Sequence, residues 1–362
     1  MSETKVKIGI IGCGGIAMGK HLPSLAKLHQ VEVAIFCDID ENKAHLAKEK
    51  YGNATSTITL DYLTILQDAS IDVVHVCTPN SSHAEIAIAA LEAGKHVMCE
   101  KPMSITSVDA KAMVDAAKRT GKKLNIGYQN RYRADSQYLK QLCEDGELGD
   151  IYYAKALAIR RRAVPTWGVF LDLEKQGGGP LIDIGTHALD LTLWMMDNYK
   201  PYSVTGSVFY KLGSRPNSAN AWGPWDPEKF KVEDSAIGYI KMENGATIVL
   251  ESSWAINLVN IGEAKTVLCG TEGGADMEDG LRINGEHKSR LYDKKINLKA
   301  GGVAFNEGSS NETDSELEAR LWIEAIQNDT TPLVTPEQAF VVSQILEAVY
   351  ESARTGKTIY FN

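Results

Sequence analysis

The sequence lacks a hydrophobic run long enough to cross a membrane, and it lacks an excess of positive charge. None of its apolar stretches approaches the roughly 20 residues of a membrane span. The formal net charge of −9 argues against binding to nucleic acid or to an anionic membrane. The chain also enters an apolar, strand-like segment at once, without the pattern of a signal peptide. These absences predict a soluble, cytoplasmic protein with neither nucleic-acid nor membrane partners.

Paired cysteines and repeated segments are also missing. The six cysteines are scattered singly, and none forms a Cys-x-x-Cys pair. We therefore expect neither a zinc site nor a disulfide framework, and we predict no metal. At 362 residues the chain is too long for one ordinary core, so two domains are expected.

The first third of the chain alternates short apolar runs with helical patterns. Residues 6–11, 31–37 and 73–77 are apolar runs, and each is followed by a segment with helical spacing. Strands and helices that alternate at this length indicate a parallel sheet with right-handed crossovers. The runs are almost wholly apolar, as strands covered on both faces should be. The sequence predicts an α/β fold whose first domain, residues 1–127, is a doubly wound parallel sheet.

A glycine-rich turn, GCGGIA, follows the first predicted strand and opens the first predicted helix. It matches the dinucleotide fingerprint G-x-G-x-x-G/A at Gly12, Gly14 and Ala17. Asp38 ends the second strand, where a carboxylate can accept hydrogen bonds from ribose hydroxyls and would repel a 2′-phosphate. We therefore predict a Rossmann domain that binds NAD in preference to NADP. A helix cap is the alternative role for Asp38, although Asp40 is the better cap candidate.

Ligands of such sheets bind beyond the carboxyl ends of the strands, and the residues expected there are the cofactor candidates. They are Gly12, Gly14, Gly15, Ile16, Asp38, Thr78, Pro79, Asn80, His83, Glu100 and Lys101. Glu100 and Lys101 directly follow the apolar run HVMC, so we expect this charged pair to face ligand rather than bulk water. His83 begins a helix beside the crevice, where cofactor contact and helix capping are both open.

The remainder of the chain, residues 128–362, has a different pattern. Segments such as YSVTGSVFYKL and ATIVLESSW alternate apolar with polar or aromatic residues, and glycine or asparagine turns separate them. This pattern predicts an α+β domain with a large, mostly antiparallel sheet, one face of which is open or used in assembly. Two helical patterns close the chain, and the last is a candidate to pack back on the first domain.

Three glycines and a proline precede a helical pattern in GGGPLIDIGTHALDL, residues 177–191. Asp183 and His187 lie four residues apart and therefore on one face of the predicted helix. Such a pair can act as a general base and an orienting carboxylate. A metal site with Asp190 as third ligand is a weaker alternative, because no second histidine cluster supports it. A buried structural histidine is another alternative.

Four motifs, in this order, resemble the Gfo/Idh/MocA family of nicotinamide-dependent sugar and polyol oxidoreductases. They are GIIGCGGIA, CTPNSSHAEIAIAALEAGKHVMCEKPMS, GYQNRYRAD and the D-x-x-x-H of DIGTHALDL. The resemblance spans nearly the whole chain and implies that Lys101, Asp183 and His187 line the substrate site beside the nicotinamide. It also implies the two-domain fold, a homodimer or homotetramer, and a bond before Pro102 that family members can hold cis.

The reaction that the resemblance implies is hydride transfer between NAD and a secondary alcohol of a sugar, inositol or related polyol. His187 would take the hydroxyl proton, because its unperturbed pKa of about 6.5 lies near the working pH. Lys101 would donate a hydrogen bond to the same oxygen. Asp183 would bind a neighbouring hydroxyl or orient His187. Two rivals stay open: an NAD-dependent glycosidase of the same family, and a non-catalytic sugar and NAD sensor.

Three further residues are candidates for substrate binding. The resemblance suggests a substrate-facing arginine at Arg131, while Arg160 and Trp167 lie in the segment RRRAVPTWGVF. An indole face suits the C–H face of a sugar ring, and a guanidinium suits its hydroxyls or an acid group. The alternative for this segment is a solvated basic strand with a core tryptophan.

Overall fold

The computed structural model describes residues 5–298 and 312–361. These residues fall within two compact units, Met1–Gln129 with Asn311–Phe340 and Asn130–Ser310 with Val341–Asn362. A segment from late in the sequence therefore belongs to the first unit. The domain boundary placed after residue 127 and the packing of the last helix on the first domain both stay predictions.

In the part of the first unit that the structure describes, six parallel strands form the sheet. They are β1 Val6–Ile11, β2 Val31–Cys37, β3 Thr57–Thr59, β4 Val73–Val76, β5 His96–Cys99 and β6 Leu124–Ile126. Their order is β3-β2-β1-β4-β5-β6, and each neighbouring pair is parallel. The order reverses between β1 and β4, the kind of switch point at which α/β sheets bind ligands. The predicted doubly wound parallel sheet is confirmed.

Helices connect the strands of this sheet. They are α1 Leu22–Leu25, α2 Glu41–Tyr51, α3 Leu63–Gln67, α4 His83–Glu92 and α5 Ser107–Thr120. A π-helical turn, Ala17–His21, stands between the glycine-rich turn and α1. Asp40 caps α2 by accepting the Asn42 N–H at 3.1 Å, as the sequence predicted. The strands supply a core in which Ile8, Ile10 and Val73 are fully buried.

Within the described residues, nine strands form the sheet of the second unit. They are β7 Ile151–Ile159, β8 Pro201–Phe209, β9 Ser235–Met242, β10 Thr247–Ser253, β11 Gly262–Gly270, β12 Gly273–Asp276, β13 Arg282–His287, β14 Arg290–Lys295 and β15 Ile359–Tyr360. Their order is β14-β13-β12-β11-β7-β10-β9-β8-β15. The β7–β10 pair is parallel and the other pairs are antiparallel. The large, mostly antiparallel sheet is therefore confirmed.

The remaining α-helices are α6 Ala134–Glu144, α7 Leu173–Gln176, α8 Thr186–Met196, α9 Asp314–Gln327 and α10 Pro336–Thr355. A second π-helical turn, Leu181–Gly185, leads into α8, which packs on β7 and β11. In α9, Trp322 and Ile323 join the hydrophobic core of the first unit. In the second unit, Val349 of α10 closely approaches Gly206 and Gly238 of the sheet. None of the helices in the described residues is long and apolar enough to span a membrane.

Candidate active site

The glycine-rich turn after β1 has the conformation that a dinucleotide fingerprint requires. Gly12 has a φ of 91°, and a Cβ there would lie 2.7 Å from the carbonyl carbon of Cys77, so only glycine fits. A Cβ built on Gly14 or Gly15 would meet nothing within 4 Å, so this side of the turn has open space. Ala17 is fully buried. The turn therefore fits a pyrophosphate approaching its backbone.

Asp38 lies at the carboxyl end of β2, beside this turn. Its Oδ2 accepts the Cys13 N–H at 2.8 Å, and its Oδ1 accepts the Asp40 N–H at 2.9 Å. A carboxylate has about four acceptor positions, so further capacity remains for ribose hydroxyls. Asp38 is thus not the cap of α2, and it ties the end of β2 to the glycine-rich turn. Ile16 of the turn is 39% exposed.

The turn after β4 contains Thr78, Pro79 and Asn80 and leads into α4. His83, at the start of α4, is buried: its Nδ1 lies 2.8 Å from the Pro102 carbonyl oxygen and its Nε2 lies 2.9 Å from that of Thr78. Burial lowers the pKa of His83, so the neutral ring donates to one of these carbonyls at a time. His83 is therefore neither a helix cap nor open to a cofactor. It links the turns after β4 and β5.

Glu100, at the carboxyl end of β5, is only 4% exposed. It faces other protein groups and not the ligand that the sequence analysis predicted for it. Its Oε1 lies 2.8 Å from both Lys20 Nζ and His21 Nε2, and its Oε2 accepts the Lys101 N–H at 3.2 Å. Burial alone would raise the pKa of Glu100, but the Lys20 ammonium and the His21 hydrogen bond hold it well below its ordinary value. The peptide bond between Lys101 and Pro102 is cis, the state that the family resemblance allowed.

Asp183 and His187 lie at the start of α8 in the second unit. Asp183 belongs to the π-helical turn and His187 to the first turn of α8, so the regular α-helical spacing assumed from the sequence is wrong. Both side chains are largely buried, at 5% and 9% exposure. The Trp254 indole N–H donates to Asp183 Oδ2 at 3.1 Å. Trp254 therefore fixes the orientation of this carboxylate.

The glycines before this helix have a packing reason. A Cβ on Gly178 would lie 2.1 Å from the Tyr350 hydroxyl, and one on Gly179 would lie 2.2 Å from the Glu233 carbonyl oxygen. The Glu233 carboxylate accepts the N–H groups of Gly179 and Leu181 at 2.8 and 3.1 Å, and the Tyr350 hydroxyl at 2.8 Å. Sequence reasoning missed Glu233 and Tyr350, because they are distant in the chain. The glycine run was the only signal of a close approach.

Arg131 is not placed to meet a substrate, so that prediction is wrong. Its side chain is fully buried, and its Nε and Nη2 bind the two carboxylate oxygens of Asp190 at 2.9 and 2.6 Å. This bidentate ion pair lies inside the second unit, with the guanidinium 5.5 Å from the Trp194 ring. Asp190 is thereby committed to Arg131. No group of three or more potential ligands that could hold a metal occurs in residues 5–298 and 312–361.

Arg160 is engaged by neighbouring side chains rather than turned freely to solvent. Its guanidinium binds the Glu263 carboxylate, with Nε 2.6 Å from Oε2, and lies 5.1 Å from the centre of the Trp222 ring. Its side chain is 16% exposed. Arg160 therefore supports the Trp222 ring, and direct substrate contact stays a prediction.

Trp167 is not a core tryptophan, since it is 53% exposed. Its ring packs edge-to-face on Trp222 and Phe170, at centroid distances of 5.0 and 6.0 Å. Phe170 lies 6.3 Å from Trp254, whose indole N–H holds Asp183. We call Trp167, Phe170, Trp222 and Trp254 the aromatic cluster. It extends within the second unit from Asp183 to exposed tryptophan rings.

Two family models match the chain. Residues 6–128 match the oxidoreductase family with an NAD-binding Rossmann fold, and residues 136–276 match the GFO/IDH/MocA C-terminal domain. The first unit thus contains the NAD-binding Rossmann domain of an oxidoreductase. The chain belongs to the Gfo/Idh/MocA family.

Named relatives and a solved structure agree with this assignment. The chain is 35% identical over 359 residues to D-glucoside 3-dehydrogenase of Escherichia coli K12, covering 99% of this chain and 98% of that protein. It is 31% identical over 202 residues to inositol 2-dehydrogenase of Salmonella typhimurium, covering 55% and 57% respectively. The crystal structure of an oxidoreductase domain protein from Kribbella flavida has a TM-score of 0.84 at 26% identity, covering 99% of this chain and 100% of that one.

Proposed function

We propose that the protein is an NAD-dependent dehydrogenase that oxidises a secondary hydroxyl of a sugar, with glycosides as the favoured substrate class and inositols as the next. The observation that best supports this proposal is the hydrogen bond by which the Trp254 indole holds the Asp183 carboxylate at the inner end of the aromatic cluster. The full-length similarity to a protein named D-glucoside 3-dehydrogenase supports the choice of glycosides.

The cofactor half of the proposal relies on the glycine-rich turn and Asp38. The turn has room for a pyrophosphate at Gly14 and Gly15, and the π-helical turn that follows begins beside it. Asp38 would accept hydrogen bonds from the ribose hydroxyls, and its negative charge would repel the 2′-phosphate of NADP. NAD, when bound, supplies the hydride acceptor. We therefore propose NAD rather than NADP as the working cofactor.

Three side chains of the protein would serve the proton transfer and orient the substrate. His187 takes the proton of the reacting hydroxyl, and Lys101 donates a hydrogen bond to the same oxygen as negative charge develops on it. Asp183, fixed by Trp254, accepts a hydrogen bond from a neighbouring hydroxyl. That Lys101 acts on the same substrate as Asp183 and His187 is proposed from the family resemblance.

The aromatic cluster favours a ring substrate over a small aliphatic alcohol. Trp167 and Trp222 are 53% and 43% exposed, and aromatic faces suit the C–H faces of sugar rings. Arg160 lies against Trp222 and keeps it from rotating freely. The cluster therefore supports a substrate with a sugar ring near Asp183 and further atoms, such as those of a glycoside, along the tryptophans.

The test is the absorbance at 340 nm when the purified protein is given NAD⁺ or NADP⁺ with glucosides, inositols or free aldoses. We expect NADH to form with one of these classes and to be lost in Lys101→Ala. No NADH with any of them, in a protein that still binds NAD, would contradict the proposal. Release of free sugar from a glycoside without net formation of NADH would instead support the alternative hypothesis of an NAD-dependent glycosidase.

A further inference from the structure

Lys20, His21, Glu100 and Glu318 form a buried charge network in the first unit, called here the Lys20 network. Their exposed fractions are 7%, 4%, 4% and 2%. Lys20 Nζ lies 2.8 Å from both Glu100 Oε1 and Glu318 Oε2, and 3.1 Å from Gln129 Oε1. An ammonium has three N–H donors, so these three acceptors satisfy it fully.

His21 links this network to His75, and the protonation of the two rings determines which atoms donate hydrogen bonds. His21 Nε2 lies 2.8 Å from Glu100 Oε1, and His21 Nδ1 lies 2.9 Å from His75 Nδ1. The lowered pKa of Glu100 keeps its carboxylate ionised, so His21 must present an N–H at Nε2. Burial lowers the pKa of His75 well below its ordinary value, so His75 stays neutral. Glu100 Oε1 thus accepts from Lys20 and His21 together.

The other oxygen of Glu100 is directed at the backbone of Lys101. Glu100 Oε2 accepts the Lys101 N–H at 3.2 Å. On the opposite side, a Cβ on Gly127 would lie only 3.0 Å from Glu100 Oε1, so the end of β6 leaves just enough room for the carboxylate. Any movement of the Glu100 carboxylate therefore alters the hydrogen bond that holds Lys101.

We propose that Lys20 and Glu318 are positioning residues for Lys101, acting through the Glu100 carboxylate. This inference rests on the proposed catalytic role of Lys101. Lys20 belongs to the π-helical turn that follows the glycine-rich turn, and Glu318 belongs to α9. The π-helical turn, α9 and the end of β5 therefore meet at the Lys20 ammonium group.

The cost of burying these charges favours a functional role. Each buried ion loses much of its hydration energy, and replacing a buried ion pair by apolar side chains of similar volume often leaves a protein as stable or more stable. Burial of a lysine between two carboxylates is thus a poor way to stabilise a core. It is, however, an effective way to fix one carboxylate oxygen in place, and π-helical turns such as Ala17–His21 are frequent at functional sites.

The chain supplies a matched control for the Lys20–Glu318 pair. Lys27 forms an ion pair with Glu316, the latter two residues before Glu318 on α9. The Lys27 side chain is 63% exposed, and this pair does not include Glu100. Lys27→Met therefore removes a lysine–glutamate pair that also involves α9, without touching the Lys20 network.

The experiment compares Lys20→Met and Lys27→Met by hydrogen–deuterium exchange and by steady-state kinetics. In Lys20→Met we expect faster exchange at the Lys101 amide, and a kcat about tenfold to a hundredfold lower with the KM for NAD changed less. Lys27→Met should match the wild type in both readouts. Glu100→Gln, which keeps the side-chain size, should also accelerate exchange at Lys101, and it replaces Lys20→Met if that variant does not fold.

Three outcomes separate this inference from the proposed function. Unchanged exchange at Lys101 in a folded Lys20→Met or Glu100→Gln variant overturns the positioning role. Faster exchange with unchanged kcat also overturns it, because Lys101 would then move without affecting the reaction. A wild type inactive on every substrate class contradicts the proposed function alone, and the exchange measurement still decides whether the network holds Lys101.

Discussion

The carboxylate of Asp38 is the side chain on which the choice between NAD and NADP depends. We expect Asp38→Asn to lower the preference for NADH over NADPH about tenfold, because a repulsion worth about 1.4 kcal/mol is removed. The amide retains one oxygen that can accept the Cys13 N–H, so the turn should keep its shape. Fluorescence titrations of the protein with NADH and with NADPH give the two dissociation constants, and their ratio measures this preference.

Asp40→Asn is the control for this prediction. Asp40 lies two residues away and caps α2, a position at which asparagine is as good as aspartate. Asp40→Asn should therefore leave the ratio of the NADH and NADPH affinities unchanged. An unchanged ratio in Asp38→Asn as well would mean that the carboxylate does not face the ribose.

At the residue scale, local chemistry was readable from the sequence and distant partners were not. Gly12, Asp38 and Asp40 were predicted from neighbouring strands and turns, and the structure gives Gly12 and Asp40 a backbone reason for their identity. Arg131 was misjudged because its partner, Asp190, lies 59 residues away. A single sequence does not indicate whether an arginine meets a substrate or a buried carboxylate.

The start of α8 is an element whose stability depends on one buried acid. Burial raises the pKa of Glu233 from its ordinary value of 4.5 to about 7, although its three hydrogen bonds oppose this. Between these values the folded state binds more protons than the unfolded state, so the free energy of unfolding falls as the pH rises. The full loss is about 3 kcal/mol, since each pKa unit corresponds to about 1.36 kcal/mol.

We predict that Glu233→Gln removes the decrease in the free energy of unfolding that Glu233 causes between about pH 4.5 and pH 7. Denaturant unfolding at a series of pH values measures it, and the quantity to follow is the difference between wild type and variant. Glu243→Gln is the control, because Glu243 is exposed in the turn between β9 and β10. A wild-type minus Glu233→Gln difference that does not vary with pH would contradict the assigned titration.

Element types were predictable where one period dominated the sequence, and irregular turns were not. The apolar runs gave the strands of the parallel sheet, and the alternating segments gave those of the antiparallel sheet. The π-helical turns Ala17–His21 and Leu181–Gly185 were read as ordinary helix, because one extra residue per turn leaves no clear mark on periodicity. The sequence therefore indicated Asp183 as a candidate site residue but did not predict the π-helical turn in which it lies.

At the scale of the whole molecule, the first unit includes a segment that is distant in the sequence from the rest of that unit. The family resemblance correctly gave two sheets of different kinds, yet a boundary after residue 127 omits α9. Trp322 and Ile323 of α9 are almost fully buried in the core that also contains Ile8 and Ile10. A homodimer or homotetramer stays a prediction at this scale, and exposed Ile237 and Tyr239 mark the sheet face to examine for it.

We expect residues 1–129 alone to be far less stable than the same segment fused to residues 311–340. Burial of two large apolar side chains contributes about 3–6 kcal/mol, against a total of about 5–15 kcal/mol for a typical domain. The shorter fragment also leaves Lys20 without Glu318. Thermal unfolding followed by circular dichroism, with NAD binding by calorimetry, compares the two fragments. Equal melting temperatures would mean that α9 only covers the Rossmann sheet, whereas a large difference would make it part of the NAD-binding domain.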